Sequence, residues 1–192
     1  MIYIICSKGD RFITAEDQTD MSQHLIRTGL SGEYGIDIGN DDIIRNAWGK
    51  PFLRDHPDTY FNVSHCTGGI ALSISPFRTG IDIEKVRPFS VMTARKILTD
   101  NELDTIKNSP CPELDFFRLW TLKESYIKAL GTGLSYPLKK ISFTIDQNSN
   151  IATNLKGCMF GIFENEKDFV VSVCYLNRND RLKETLIYRL LS

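Results

Sequence analysis

The chain has 192 residues, of which 42% are hydrophobic and 24% are charged, as is ordinary for a soluble globular protein. The formal net charge of −1 gives no overall basic field, so we expect neither nucleic acid nor a membrane surface as a partner. The five cysteines are scattered and never spaced as C-x-x-C, which argues against a disulfide framework or a structural zinc site and predicts a reducing, cytoplasmic location. No apolar run is long enough to span a bilayer, and the start MIYIIC predicts a strand rather than a signal peptide.

The first eighty residues carry strand patterns and one helix. Segments rich in β-favouring residues and bounded by turn residues lie at 2–6, 11–14, 41–53 and 60–75. In the last of these, a turn at 67–69 separates two predicted strands. Residues 17–34 place Leu25 and Leu30 among polar side chains with helical spacing, which predicts an amphipathic helix.

After Pro88 the pattern becomes helical and then returns to strands. Helical periodicity covers Ser90–Leu98, Asn101–Lys107 and Glu113–Gly131. Thr99 or Asp100 can cap the second of these helices. The segments KKISFTID, GCMFGIFE and DFVVSVCYL predict strands, whereas the closing RLKETLIYRLLS fits either a helix or a strand. Because strand groups and helix groups are segregated along the chain, the sequence predicts an α+β fold.

The stretch GIDIEK at 80–85 places two carboxylates in a predicted strand. Side chains alternate across a strand, so Asp82 and Glu84 point to one face while Ile81 and Ile83 point to the other. Two like charges this close repel, and each raises the pKa of the other, unless a cation lies between them. The residues alone leave two interpretations open, which are the solvated face of an edge strand and one side of a cation site.

A second group of charges lies on the predicted helix FFRLWTLKESYIKALGTGLS at 116–135. Glu124 and Lys128 are four residues apart and share a face, which is typical of an ordinary surface ion pair. Lys123 falls inside the apolar stripe, so it must either extend to solvent or line a cleft in which it meets an anion. An acid between two lysines also suits a metal–phosphate complex, because carboxylates hold hard cations and ammonium groups hold phosphate oxygens.

Three further residues carry little information on their own. Ser64 and His65 adjoin a predicted turn in FNVSHCTGG, and their side chains diverge on a strand, so they do not form a hydrolase dyad. A structural turn histidine is the simpler interpretation of His65. The chain has three histidines without H-x-x-x-H spacing, which argues against a histidine zinc site. Lys50 lies in a turn between Gly49 and Pro51.

Together these pieces resemble the 4′-phosphopantetheinyl transferase superfamily, in its longer two-half, surfactin-synthetase-activator-like type. The matching motifs occur in the family's order: GKP at 49–51, NVSH at 62–65, GIDIE at 80–84, WTLKES at 120–125, and KA with GTG within 128–133. Each motif is weak alone, but this set in this order is highly specific. The similarity covers about residues 45–140.

The resemblance implies an α+β fold of two pseudo-symmetric halves, each a small antiparallel sheet packed with helices, with the active site between them. We expect the halves at 1–78 and 79–192, with most of the catalytic acids in the second. The resemblance also implies a Mg²⁺-dependent reaction in which coenzyme A gives its phosphopantetheine arm to a serine of an apo acyl or peptidyl carrier protein, releasing adenosine 3′,5′-bisphosphate. Such a chain contains both sides of its own cleft, so a monomer is expected.

The resemblance also implies roles for individual residues. Three acids look like the Mg²⁺ ligands: Asp82, Glu84 and Glu124. Five residues look like contacts of coenzyme A, at its nucleotide and 3′-phosphate end or at its other phosphates: Lys50, Ser64, His65, Lys123 and Lys128. Three residues look like participants in catalysis, one at the departing oxygen and two as alternatives for taking the serine proton: Lys128, Glu124 and Glu102.

One departure from the family pattern concerns the 3′-phosphate. Longer members often carry an early basic cluster that reaches this group, and the abbreviated N-terminal half offers only Lys8, Arg11 and Arg27 nearby. Two rival functions are also considered. A non-catalytic relative that binds coenzyme A or carrier proteins predicts loss of the acid triad. An unrelated Mg²⁺-dependent phosphohydrolase gives no reason for the K-E-S-x-x-K helix.

Overall fold

The computed structural model describes residues 1–6, 15–133, 136–164 and 169–177. The helices and strands alternate in groups along the chain rather than one by one. In chain order they are β1 (Ile2–Cys6), α1 (Ala15–Tyr34), β2 (Ile43–Arg45), β3 (Pro51–Leu53), β4 (Tyr60–Cys66), β5 (Gly69–Ser75), β6 (Thr79–Lys85), α2 (Val91–Ile97), α3 (Asp100–Lys107), α4 (Pro112–Leu130), β7 (Phe143–Ile145), β8 (Ile151–Thr153), β9 (Cys158–Glu164) and β10 (Phe169–Leu176).

The two main sheets share one topology. The first has the strand order β1-β5-β4 and the second β6-β10-β9, and all of these pairs are antiparallel. In each sheet the last strand lies in the middle, and a helical segment and a two-stranded ladder (β2-β3 or β7-β8) precede the final two strands. This repetition confirms the predicted α+β fold of two pseudo-symmetric halves. We propose that the halves divide between residues 78 and 79, in the connection from β5 to β6.

The layers pack in the order α1, first sheet, second sheet and α4. Alternate side chains of β1 enter either the core beneath α1 or the core between the two sheets. The same alternation in β6 sends Ile81 and Ile83 into the core between the sheets. Asp82 and Glu84 lie on the opposite side, where both contact side chains of α4. The predicted shared face of the two acids is therefore confirmed.

The predicted helices agree with the structure to within one or two residues. Of the two expected caps, Thr99 is the one that caps α3, and α4 ends at Gly131, whose φ of 73° is the left-handed conformation that favours glycine. The three-residue strand β8 was not predicted, because its sequence is too short to show a period. The strand predicted at 11–14 and the closing segment 181–192 lie outside the described residues.

Within the described residues, neither a disulfide nor a membrane-spanning helix contributes to this fold. All five cysteines are free thiols, and Cys6 and Cys174 are fully buried. No described helix combines the length and the apolar character that crossing a bilayer requires. The fold is held by its apolar cores and by the polar contacts described below.

The strand β6 lies very close to α4 at Gly80. A Cβ atom at this position would lie 2.1 Å from Ser125 O and 2.2 Å from Ala129 N, both in α4. These are backbone atoms, so no change of side-chain rotamer can move them aside. Glycine is therefore required for β6 to lie directly against α4.

We expect Gly80→Ala to lower the free energy of unfolding by about 3 kcal/mol or more, because overpacking against backbone forces the strand and the helix apart. Urea unfolding followed by circular dichroism measures this loss. Gly32→Ala is the matched control, since nothing lies within 4 Å of the added Cβ. At that exposed helical position alanine should stabilise the protein by about 1 kcal/mol. Equal stability of Gly80→Ala and the wild type would contradict the close approach.

Candidate active site

The acids of β6 lie where β4 and α4 approach that strand. Asp82 is buried, and its Oδ1 accepts hydrogen bonds from Ser64 Oγ at 2.9 Å and from Lys128 Nζ at 2.6 Å. The Lys128 ammonium also donates to Ser64 Oγ at 2.8 Å. A serine of β4, an aspartate of β6 and a lysine of α4 therefore form a closed hydrogen-bonded triangle.

The two glutamates beside this triangle differ in their partners. Glu84 accepts hydrogen bonds on both oxygens, from Arg87 Nη1 at 2.8 Å and from Trp120 Nε1 at 3.2 Å. Glu124, on α4, is buried, and its Oε1 has no hydrogen-bond partner among the described residues. The Oδ2 atom of Asp82 is also buried and has no hydrogen-bond partner among the described residues. The site thus holds two carboxylate oxygens that are buried and unpaired.

Burial and neighbouring carboxylates raise the pKa of two of these acids, Asp82 and Glu124. Burial raises the pKa of Glu124 to about 7, the charges of Asp82 and Glu84 add to the rise, and Lys128 opposes it. Burial also raises the pKa of Asp82; Lys128 and Ser64 oppose this rise, and Glu84 adds to it. The nearby positive charge of Lys128 does not offset burial and mutual repulsion, so the cluster favours a further cation.

The donor chemistry of the cluster fits a hard cation. The described residues contain no group of three or more His, Cys, Asp or Glu side chains arranged to hold a metal ion. Two unpaired buried carboxylate oxygens are nevertheless costly, and a cation would satisfy both. Mg²⁺ typically takes one or two carboxylates and completes its shell with water and phosphate oxygens. Asp82 and Glu124 fit this pattern, whereas Glu84 already has two partners.

A cavity of about 270 Å³ opens beside the cluster, and both halves line it. Its walls include Glu124 and Lys128 from α4, Asn62 from β4 and Trp48 from the β2–β3 loop. The Trp48 indole is 63% exposed, so an aromatic surface is available beside charged groups. The cavity can hold a charged substrate group next to the acids.

The Lys50 ammonium, which was expected to contact coenzyme A, is hydrogen-bonded within the fold in this structure. Lys50 lines this cavity, but its ammonium donates to three carbonyl oxygens: Thr79 at 2.9 Å, Lys128 at 2.6 Å and Ala129 at 3.1 Å. An ammonium group has three hydrogens, so none is left for a phosphate. Burial and the charge of Arg78 lower the pKa of Lys50 to about 8, while carbonyl groups at the end of a helix favour its charged form.

Lys123 neither extends to solvent nor lines a cleft. It is fully buried, and its ammonium lies 2.6 Å from Glu102 Oε2. Three backbone carbonyl oxygens complete its surroundings: Ile97 at 3.1 Å, Leu138 at 3.3 Å and Ile141 at 2.8 Å. The anion that meets Lys123 is a carboxylate of the protein itself, so the structure places this residue, which was expected at a coenzyme phosphate, in an ion pair within the fold.

Glu102 completes this structural unit. Its Oε2 also accepts from the Thr99 backbone N–H at 2.7 Å, and its Oε1 accepts from the Phe143 N–H at 2.9 Å. Glu102 is only 3% exposed and does not line the cavity beside the acids. Glu102 was expected as one of two alternatives for taking the serine proton, and in this structure both of its oxygens are engaged within the fold. The ion pair instead joins α3, α4 and the segment that leads into β7.

We expect Glu102→Ala to lower the free energy of unfolding by about 3–5 kcal/mol, because it leaves the Lys123 ammonium buried without a counter-charge. Urea unfolding measures the loss, and the double variant Glu102→Leu/Lys123→Met should recover much of it. Asp104→Ala is the control, since it breaks only an exposed pair with Lys107, worth about 0–1 kcal/mol. Wild-type stability together with lost activity in Glu102→Ala would restore a catalytic role.

Ser64 and His65 point to opposite sides of β4. Ser64 is buried and contacts Asp82, whereas His65 is exposed and lines a second cavity of about 380 Å³. Arg27 and Arg45 line this cavity together with His65. The structure therefore separates the two residues that were expected together at the 3′-phosphate: Ser64 contacts Lys128, whereas His65 lies beside Arg27 and Arg45.

Sequence reasoning missed several polar residues of this second cavity, among them Arg45 and Ser22. Arg45 ends β2, and its Nη1 donates to Gly49 O at 2.8 Å. Ser22 Oγ, on α1, is buried without a partner among the described residues. A single arginine in a short strand and a single serine in a helix carry no pattern that marks them, and only the fold brings them together.

The family model for the 4′-phosphopantetheinyl transferase superfamily matches residues 78–174. The 4′-phosphopantetheinyl transferase Sfp of Bacillus subtilis (strain 168) is 31% identical over 172 residues, which cover 85% of this chain and 77% of that protein. Another 4′-phosphopantetheinyl transferase from Bacillus subtilis is 30% identical over 172 residues, with the same coverage of 85% and 77%. The crystal structure of holo-[acyl-carrier-protein] synthase from Thermotoga maritima is 21% identical, covers 54% of this chain and 64% of that chain, and has a TM-score of 0.46, too low to carry weight here. On the family match and the two relatives, the chain belongs to the 4′-phosphopantetheinyl transferase superfamily.

Proposed function

We propose that this chain transfers the 4′-phosphopantetheine group of coenzyme A to a serine hydroxyl of an apo acyl or peptidyl carrier protein, with Mg²⁺ as cofactor. The serine oxygen bonds to the phosphorus of the pantetheine arm. The bond from that phosphorus to the bridging pyrophosphate oxygen breaks, and adenosine 3′,5′-bisphosphate leaves. The observation that carries the proposal is the meeting of Asp82, Glu124 and Lys128 beside a cavity, in a chain of this family.

The metal would be held by Asp82 and Glu124 through the two buried oxygens that lack partners. Glu84 would become a third ligand by giving up its hydrogen bond with Arg87 or with Trp120. When bound, Mg²⁺ supplies positive charge that neutralises the coenzyme pyrophosphate. The three acids then act by holding that charge in place.

Lys128 is the proposed stabiliser of the departing oxygen. Its side chain is 29% exposed and lines the cavity, unlike the buried Lys123. Lys128 can exchange the Asp82 carboxylate for a phosphate oxygen when that carboxylate binds the metal. A charge-assisted hydrogen bond to the bridging oxygen strengthens as that oxygen gains negative charge, so it favours bond cleavage.

Glu124 is the proposed acceptor of the serine proton, directly or through a water molecule. It is the carboxylate that lines the cavity beside Lys128, where the carrier serine must approach. Glu102, the competing candidate, is held in its ion pair with Lys123. Positioning and charge neutralisation supply most of the catalysis in such phosphoryl transfers, so a modest base is sufficient.

We expect Asp82→Asn to lower kcat by about 10²-fold or more, because it removes the charge that holds the metal while keeping the shape of the side chain. The measurement is mass spectrometry of an apo carrier protein after incubation with enzyme, coenzyme A and Mg²⁺. EDTA should stop the wild type, and Mg²⁺ or Mn²⁺ should restore it. The control is Asp104→Asn, which alters an exposed acid outside the site.

Two results would count against these assignments. Full turnover by Asp82→Asn at ordinary Mg²⁺ concentration would remove Asp82 from the metal site. Failure of the wild type to modify any apo carrier in a panel of acyl and peptidyl types would favour the non-catalytic relative. The same panel identifies which carrier is served.

The second cavity is the proposed site for the 3′-phosphate end of coenzyme A. His65, Arg27 and Arg45 line it, and Ser22 Oγ offers an unpaired polar atom. Its volume of about 380 Å³ lies within the usual range for small-molecule sites, about 300–1,000 Å³. Basic side chains around a phosphate give charge-assisted hydrogen bonds, so these residues suit that end of the coenzyme.

We expect Arg45→Ala and His65→Ala each to raise the KM for coenzyme A about tenfold, while the KM for dephospho-coenzyme A changes less than about twofold. Steady-state kinetics with both substrates measures the difference. Arg54→Ala and His56→Ala are matched controls, because both residues are exposed and neither lines the cavity. Equal rises for both substrates would show that Arg45 and His65 serve the fold instead.

We further propose that the chain acts as a monomer in the cytoplasm, with a carrier protein as its macromolecular partner. Both sides of the candidate site come from one chain, so a second copy is not required. The five free cysteines suit a reducing compartment. The net charge of −1 offers no general attraction for nucleic acid or anionic lipid.

A further inference from the structure

Side chains of the first half cap the C-terminal end of α4. The last carbonyl groups of a helix have no partners within it, so they need donors from elsewhere. Three side chains donate hydrogen bonds to four consecutive carbonyl oxygens. Lys50 donates to Lys128 O at 2.6 Å and to Ala129 O at 3.1 Å. Arg78 donates to Leu130 O at 2.9 Å, and Asn46 donates to Gly131 O at 3.3 Å. The end of the helix that carries the candidate catalytic residues is therefore held from outside.

Lys50 is the central member of this cap. Its positive charge lies at the helix end where the partial charge is negative, which is the favourable arrangement. Its third hydrogen bond, to Thr79 O at 2.9 Å, ties the helix end to the first residue of β6. Arg78 adds a second positive charge but is exposed, so solvent weakens its contribution. A single ammonium group thus joins α4 to the strand that carries Asp82.

The loop that presents Lys50 is shaped for this contact. Asn46 Oδ1 accepts from the backbone N–H groups of Trp48 and Lys50, each at 2.9 Å. Gly49 adopts a φ of 82°, a conformation that favours glycine. The Asn46 side-chain amide also donates a hydrogen bond to Gly131 O, so the loop and the helix end form one hydrogen-bonded unit.

We propose that Lys50, assisted by Asn46 and Arg78, is a positioning residue of the transfer reaction and sets the place of Lys128. Lys128 O accepts from Lys50, while the Lys128 ammonium reaches Asp82 at 2.6 Å, so the same residue is held at both ends. The inference rests on the proposed role of Lys128 at the departing oxygen. Lys50 has no hydrogen left for a phosphate, so it acts on kcat rather than on coenzyme affinity.

A double-mutant cycle with Lys50→Met and Lys128→Ala tests whether Lys50 acts through Lys128. Methionine preserves an unbranched side chain and removes the three hydrogen bonds. We expect Lys50→Met to lower kcat about tenfold or more in the wild-type background, with the KM for coenzyme A within about threefold. In the Lys128→Ala background the same change should cost less than about twofold, because Lys50 acts through Lys128. All kinetics are measured well below the unfolding temperature of each variant.

The outcomes separate the inference from the proposed function. If Lys50→Met lowers kcat by the same factor in both backgrounds, Lys50 acts independently of Lys128 and the inference is overturned. A loss of folded protein would give this same result. A raised KM for coenzyme A with unchanged kcat would make Lys50 a coenzyme contact after all. Wild-type kcat in Lys128→Ala alone would overturn the role of Lys128, and the inference with it. Lys140→Met, which alters an exposed lysine, should match the wild type.

Discussion

The candidate site depends on how closely α4 lies against β6. At Gly80 the two backbones meet with no side chain between them. That approach lets Lys128 reach both Ser64 and Asp82 with hydrogen bonds of 2.8 Å and 2.6 Å. It also brings the end of the helix next to the start of the strand, where Lys50 contacts both. A bulkier residue at position 80 would separate the acids from the lysine and the helix from its cap.

Three lysines show that the same kind of side chain has different roles in different surroundings. Lys123 is enclosed by a carboxylate and three carbonyl groups, and Lys50 by three carbonyl groups. Both therefore stabilise the arrangement of helices and strands. Lys128 bridges Ser64 and Asp82 at the wall of a cavity, with part of its side chain exposed. Lys50 also lines that cavity, but its ammonium donates to three backbone carbonyl groups, whereas the Lys128 ammonium contacts the side chains of Ser64 and Asp82.

Local patterns predicted the features that depend on neighbours in sequence. The alternation in GIDIEK identified the shared face of Asp82 and Glu84, and Gly131 marked the end of α4. Features that depend on distant partners were not predictable. Lys123 and Lys128 look alike in the motif, but the partners that bury Lys123 come from segments near residues 97, 102, 138 and 141. Strand geometry predicted that Ser64 and His65 diverge, but it did not predict which neighbours each side chain meets.

Lys123 and Glu124 are adjacent in the chain, yet they point to different surroundings, because consecutive helical side chains diverge. The first holds the fold together and the second faces the cavity. A substitution at Lys123 therefore acts first on the amount of folded protein, and a substitution at Glu124 acts first on the chemistry of each folded molecule.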